Sequence, residues 1–98
     1  MKIVFDDEAL DDLQGIRAWI AKDSPRAADA LIKQIFDKIE HLLTPELTRM
    51  GRPGLDPGTR ELIEGPYIIV YEVYAERGEI VVLSVVHGAQ DRETDEAR

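Results

Sequence analysis

Three arginines and one histidine are the residues of this chain whose type and spacing invite chemistry. Arg49, Arg52 and Arg60 are opposed only by Asp56 between positions 48 and 60, a local balance of +2 in a chain whose formal net charge is −8. A guanidinium stays protonated and presents its donors in a fixed fork, which suits it to hold a phosphate or a partner's carboxylate through two bonds. The same side chains have a plainer use. Arg52 and Arg60 can pair with Asp56, Glu61, Glu64 or loop carbonyls and hold a Gly/Pro-rich segment in shape. For Arg52 that use is favoured, while Arg60, at the start of an expected strand, serves either. His87 closes the last expected strand beside Gly88. An imidazole there has the pKa of a general base near neutrality, but the favoured reading is a strand-end side chain hydrogen-bonded to backbone.

Other chemistries find no support. The chain has no Gly-rich phosphate loop ending in Gly-Lys-Ser/Thr and no Gly-x-Ser-x-Gly elbow. It has no cysteine, hence no thiolate nucleophile, disulfide or Cys-based zinc site. His41 and His87 lie far apart without evident ligand neighbours, so no metal is expected, and no cofactor. Ser24 reads as a helix cap and not as a nucleophile. Twenty Asp and Glu against twelve Lys and Arg work against a broad nucleic-acid surface, because phosphate affinity is built from cations. No direct nucleic-acid partner is expected.

The elements that position these groups follow from the apolar spacing. Residues 2–5 are a β-branched and aromatic run that ends at Asp6, Asp7 and Glu8, a cluster suited to the positive end of a helix dipole. Ala9, Leu10, Leu13, Ile16, Trp19 and Ile20 then recur at helical spacing over about four turns. Ser24-Pro25 starts a second helix, with Ser24 as N-cap and Pro25 at the first position, where no amide donor is needed. Its stripe runs through Ala28, Leu31, Ile32, Ile35, Phe36, Ile39, Leu42 and Leu43 to the stop at Thr44-Pro45. The short link between matched stripes predicts an antiparallel helical hairpin. Gly51, Pro53, Gly54, Pro57 and Gly58 mark a loop to about Thr59. Beyond it come residues 60–64, a turn at Gly65-Pro66, a strand over 67–74, a turn over 76–79 and a strand over 80–87.

The expected fold is therefore α+β: an N-terminal strand, a helical hairpin and a three-stranded antiparallel meander, with the hairpin on one face of the sheet. Ninety-eight residues with 44% hydrophobic content suffice for one core and exclude a second, cofactor-bearing domain. The domain is expected over residues 1–90, with a polar and frayed tail over 91–98. The longest strongly apolar run, residues 80–86, contains Ser84 and is far too short for a membrane span. The amino terminus turns acidic before a signal peptide could develop. A soluble, cytoplasmic domain without membrane contact is expected.

One feature of the meander is unusual. In residues 67–74, Tyr67, Ile69, Tyr71 and Val73 alternate with Ile68, Val70, Glu72 and Tyr74, so both faces are largely apolar, whereas a half-solvated antiparallel strand alternates with polar residues. Residues 80–87 repeat the pattern, with Ile80, Val82, Ser84 and Val86 against Val81, Leu83, Val85 and His87. Either sheet curvature and the long loop hide the second face, or a partner fills it.

Six segments, in order, resemble the RelE/ParE superfamily of toxins from bacterial type II toxin–antitoxin systems. They are Ala9-x-x-x-Leu13-x-x-Ile16, Ser24-Pro25-x-Ala27-Ala28, Gly51-Arg52-Pro53-Gly54, Gly58-Thr59-Arg60-Glu61-Leu62, Tyr67-Ile68-Ile69-Val70-Tyr71 and Val85-Val86-His87-Gly88-Ala89-Gln90. The resemblance spans about residue 3 to residue 91 and implies the same fold. It also implies neutralisation by a cognate, ParD-like antitoxin whose carboxy-terminal segment wraps over the sheet and helices. Arg49, Arg52, Arg60, Tyr67, Ile69, Tyr71, Leu83 and Val85 are the residues expected to bind a partner.

Two activities diverge within the superfamily. RelE-like members cleave mRNA on the ribosome, and under that alternative Arg60 falls where such enzymes carry a phosphate-stabilising Arg and His87 where some carry the base. Gly88 stands where a Tyr is frequent, however, and residues 44–59 contain no Lys. The Gly-Arg, Thr-Arg-Glu-Leu and Val-x-His-Gly pattern is closer to the ParE-like branch, which is associated with inhibition of DNA gyrase without catalysis. A non-toxic binding module of the same fold is the third alternative. The acidic net charge further implies that the partner's segment carries apolar anchors together with Arg or Lys.

Overall fold

The computed structural model describes residues 1–88. The chain runs through β1 (Lys2–Phe5), α1 (Asp7–Ala21), α2 (Pro25–Glu40), β2 (Arg52–Pro53), β3 (Arg60–Glu64), β4 (Tyr67–Tyr74) and β5 (Glu79–His87). This is the expected α+β order, with one strand more than expected. The tail over 91–98 lies outside the described residues.

Local chemistry accounts for the boundaries. Ser24 Oγ accepts from the Ala27 amide at 3.1 Å and Pro25 opens α2. Asp7 and Glu8 occupy the first turn of α1, where the exposed amide dipoles favour negative charge. Arg17 Nη2 lies 2.8 Å from Asp29 Oδ1, joining positions at similar distances on either side of the turn at residues 22–24, as an antiparallel hairpin requires. Regular α2 ends at Glu40, and a single 3-10 turn, His41–Leu43, carries Leu42 into the core.

The sheet has the order β1-β5-β4-β3-β2. β1 pairs in parallel with β5, and the other pairings are antiparallel. The two helices pack against each other, and on the sheet α1 lies chiefly against β5 and α2 against β3. The core between helices and sheet joins Ala9, Leu13, Ile35 and Ile39 to Ile69, Tyr71, Val82 and Val85.

Strict alternation in the last strand fails at one residue. Val70 pairs with Ser84 and Tyr71 with Val82, so Leu83 is an extra residue, a β-bulge. The bulge puts Ile80, Val82 and Val85 together in the core, three residues that a period of two would split between faces. Ser84 and Val86 move to the second face, opposite Val70 and Ile68.

That second face is not an open apolar groove. Val70, Val81, Ser84 and Val86 are half-buried and Ile68 is buried, leaving Ile63 as its exposed large apolar side chain. The segment expected as a loop is also more ordered than its Gly and Pro content suggests. It holds a single helical turn at Pro45–Leu47 and the short β2, and the Thr48 hydroxyl donates to the Leu42 carbonyl at 2.9 Å. Here a side-chain hydroxyl serves as donor to a backbone carbonyl at the end of the helical segment.

Candidate functional site

The sequence-predicted residues fall at two ends of the sheet. At the first end, Gly51 leads into β2 so closely that an added Cβ would stand 2.5 Å from the Glu61 carbonyl oxygen. Only glycine fits that approach. Its amide donates to Tyr71 Oη at 3.1 Å, and its carbonyl accepts from Arg60 Nη2. Arg52 Nε donates to Glu61 Oε1 at 3.1 Å, and Glu61 is only 4% exposed. Arg52 therefore has the structural use expected of it, and Arg60 ties β3 to the segment before β2. The Arg60 Nε atom is buried without a hydrogen-bond partner. Arg49 is exposed and forms no ion pair among the described residues.

At the second end, α1 and the last residues of β5 enclose a cleft of about 590 Å³ that includes Asp11, Asp12, Trp19, Tyr67, Val86 and His87 in its lining. β1 accompanies β5 only as far as Val82, and beyond that point α1 faces the strand. Asp12 Oδ2 accepts from the Val85 amide at 2.9 Å, satisfying a strand-edge donor that β1 no longer reaches. The rings of His87 and Tyr67 meet edge to face, with centroids 5.5 Å apart. His87 Nδ1 is buried without a partner, so the expected backbone hydrogen bond is not made at that nitrogen. Trp19 is 69% exposed, and Lys22 Nζ lies 4.9 Å from its ring centroid.

Burial corrects part of the expected partner surface. Ile69 and Tyr71 are fully buried, Val85 is 2% and Tyr67 9% exposed, because all four side chains point from the sheet toward the helices. Ile69 and Tyr71 offer no open surface, and Tyr67 and Val85 are reached only in the lining of the cleft. Leu83, at the bulge, is half-buried. Conversely, Leu10 and Trp19 are exposed although they belong to the expected stripe of α1. At about 100° per residue they sit on opposite margins of that stripe, a position that could have marked them as surface residues. Asp12 had no signal of its own, since its partner lies 73 positions away in the chain.

The two candidate catalytic residues do not converge. Arg60 pairs with Tyr71 and His87 with Tyr67 across opposite edges of β4. Four residues of strand and two inter-strand spacings place their backbones about 16 Å apart, with Ile69 of the core between them. Among the described residues no group of three or more His, Asp or Glu is placed to hold a metal, and no helix is long and apolar enough to cross a membrane.

This architecture is shared with solved toxins of the RelE/ParE class. The chromosomal ParDE system of Pseudomonas aeruginosa contains a chain of TM-score 0.76 at 24% identity, covering 89% of this chain and 95% of that one. The toxin–antitoxin complex RelBE2 of Mycobacterium tuberculosis contains one of TM-score 0.56 at 28% identity, covering 88% and 95%. In sequence, the family model for the ParE toxin of the type II toxin–antitoxin system parDE matches residues 3–92. Y4kP of Sinorhizobium fredii, a candidate toxin, is 37% identical over 84 residues, 84% of this chain and 82% of that protein. The chain belongs to the ParE toxin family of type II toxin–antitoxin systems.

Proposed function

We propose that this toxin acts in the ParE manner, by binding and inhibiting DNA gyrase, and that a cognate ParD-like antitoxin neutralises it. The observation that carries the reading is the match of the ParE family model across residues 3–92. Two features support the choice of a protein target over RNA cleavage. Arg60 is engaged by the Gly51 carbonyl and His87 Nδ1 is buried, whereas a base and a phosphate-binding cation must each present a free group within hydrogen-bond reach of one scissile site. A net charge of −8 also opposes approach to ribosomal RNA.

The antitoxin, in this reading, covers the helices and the exposed parts of the sheet. Arg49, Arg52 and Leu83 remain available to it, whereas Tyr67, Ile69, Tyr71 and Val85 support the surface from beneath. A supercoiling assay with purified toxin tests the target: inhibition at micromolar toxin, relieved by antitoxin, is expected, and unimpaired gyrase overturns the proposal. In cells, Arg60→Ala and His87→Ala variants that remain folded are expected to stay toxic. Loss of toxicity in both, together with cleaved mRNA in cells expressing the unaltered chain, would assign the activity to RNA cleavage instead.

A further inference from the structure

We propose that the cleft between α1 and the end of β5 is the seat of a basic, apolar segment of the antitoxin: an aliphatic or aromatic anchor flanked by Arg or Lys. The proposal rests on the toxin–antitoxin reading and adds where on the fold the segment binds. Three observations support it. First, the cleft, of about 590 Å³, has Ile16 and Tyr67 in its lining beside Trp19, which is 69% exposed. An indole left in water beside other apolar groups forgoes burial that a docked side chain would supply.

Second, the two carboxylates of the lining, Asp11 and Asp12, are of one sign, and Lys22 lies over the Trp19 ring. Asp11 is exposed and forms no ion pair among the described residues, while Asp12 uses one oxygen on the Val85 amide. An acidic segment would place like charges together in a partly desolvated cleft, whereas a cation beside the anchor would meet Asp11, which is exposed, and Asp12, which is half-buried. A second copy of the chain is a poor occupant for the same reason, since it brings a charge of −8. Third, the rings of His87 and Tyr67 meet edge to face within the lining and add aromatic surface against which an apolar anchor can pack.

Trp19 is the single tryptophan of the chain, so 5-fluorotryptophan labelling places one 19F resonance in the cleft. The labelled toxin is mixed with the unlabelled product of the neighbouring antitoxin gene. A shift of that resonance on binding is expected, with affinity falling as salt rises. Asp11→Lys is expected to weaken the complex about tenfold or more, while Glu46→Lys, an identical charge change at an exposed site outside the cleft, leaves it within about twofold. A complex with an unshifted resonance overturns the cleft assignment while leaving the toxin–antitoxin reading intact. Tighter binding by Asp11→Lys overturns the cationic segment, and a shift that follows toxin concentration alone assigns the cleft to a second copy. Absence of any complex overturns both this inference and the reading it rests on.

Discussion

At the Gly51 end of the sheet, Arg52 is held by Glu61, Arg60 by the Gly51 carbonyl and the Gly51 amide by Tyr71. At the other end, the cleft leaves Trp19 in solvent and His87 Nδ1 without a partner. The arginine-rich end, which attracts attention in the sequence, directs much of its polar chemistry inward to hold an irregular segment against β3. The acidic, aromatic end is incomplete by itself. Both ends keep one buried polar nitrogen without a partner, Arg60 Nε and His87 Nδ1, so the contrast rests on the inward hydrogen bonds of Arg52 and Arg60 against the exposed indole of Trp19.

Four substitutions would break or sharpen this contrast. Tyr71→Ala should be the most damaging, costing about 4 kcal/mol, because it removes a fully buried ring together with the acceptor of the Gly51 amide. Urea unfolding would measure it, and a loss below about 2 kcal/mol would show that the Gly51 end is not held from the core.

Arg60→Met keeps much of the aliphatic stem but removes the donor to the Gly51 carbonyl, and a loss of about 1–2 kcal/mol is expected in the same measurement. Unchanged stability would return Arg60 to the list of groups available to a ligand.

His87→Phe should raise stability by about 0.5 kcal/mol or leave it unchanged, since the ring keeps its contact with Tyr67 while the unpartnered nitrogen disappears. A loss above about 1 kcal/mol would mean that the imidazole is already satisfied in the free protein. Trp19→Ala should change stability least, within about 0.5 kcal/mol, as expected of an exposed side chain. Its effect should appear in antitoxin affinity instead, so a thermal melt and a binding titration on the same variant separate the two roles.

Much of this architecture was legible in sequence because its signals are local. Ser24-Pro25 specifies a helix start through one hydroxyl and one preset dihedral angle. β1 and β4 coincide with the expected runs because β-branched and aromatic residues fill them up to clear turn signals. The short β2 was not legible: two residues of which one is proline carry no strand pattern. Nor was the bulge at Leu83, since Val, Leu and Ser in alternation look the same whether or not one residue is extra.

For the candidate site the balance is reversed. Arg52, Arg60 and His87 were visible as residue types, but their partners were not; Asp12 carried no sign of its bond to Val85, and the stripe margin marked Trp19 as a surface residue without pointing to the cleft. By itself the sequence determined the order and type of the main elements, the acidic net charge and the toxin family, because propensity, composition and motif order are properties of the chain read along its length. Tertiary structure alone decided which of two apolar sheet faces became core, which arginines were bound internally and where a cleft stayed open. Those outcomes depend on the strand register shifted at Leu83 and on contacts such as Asp12 with Val85, which join residues that only folding makes neighbours.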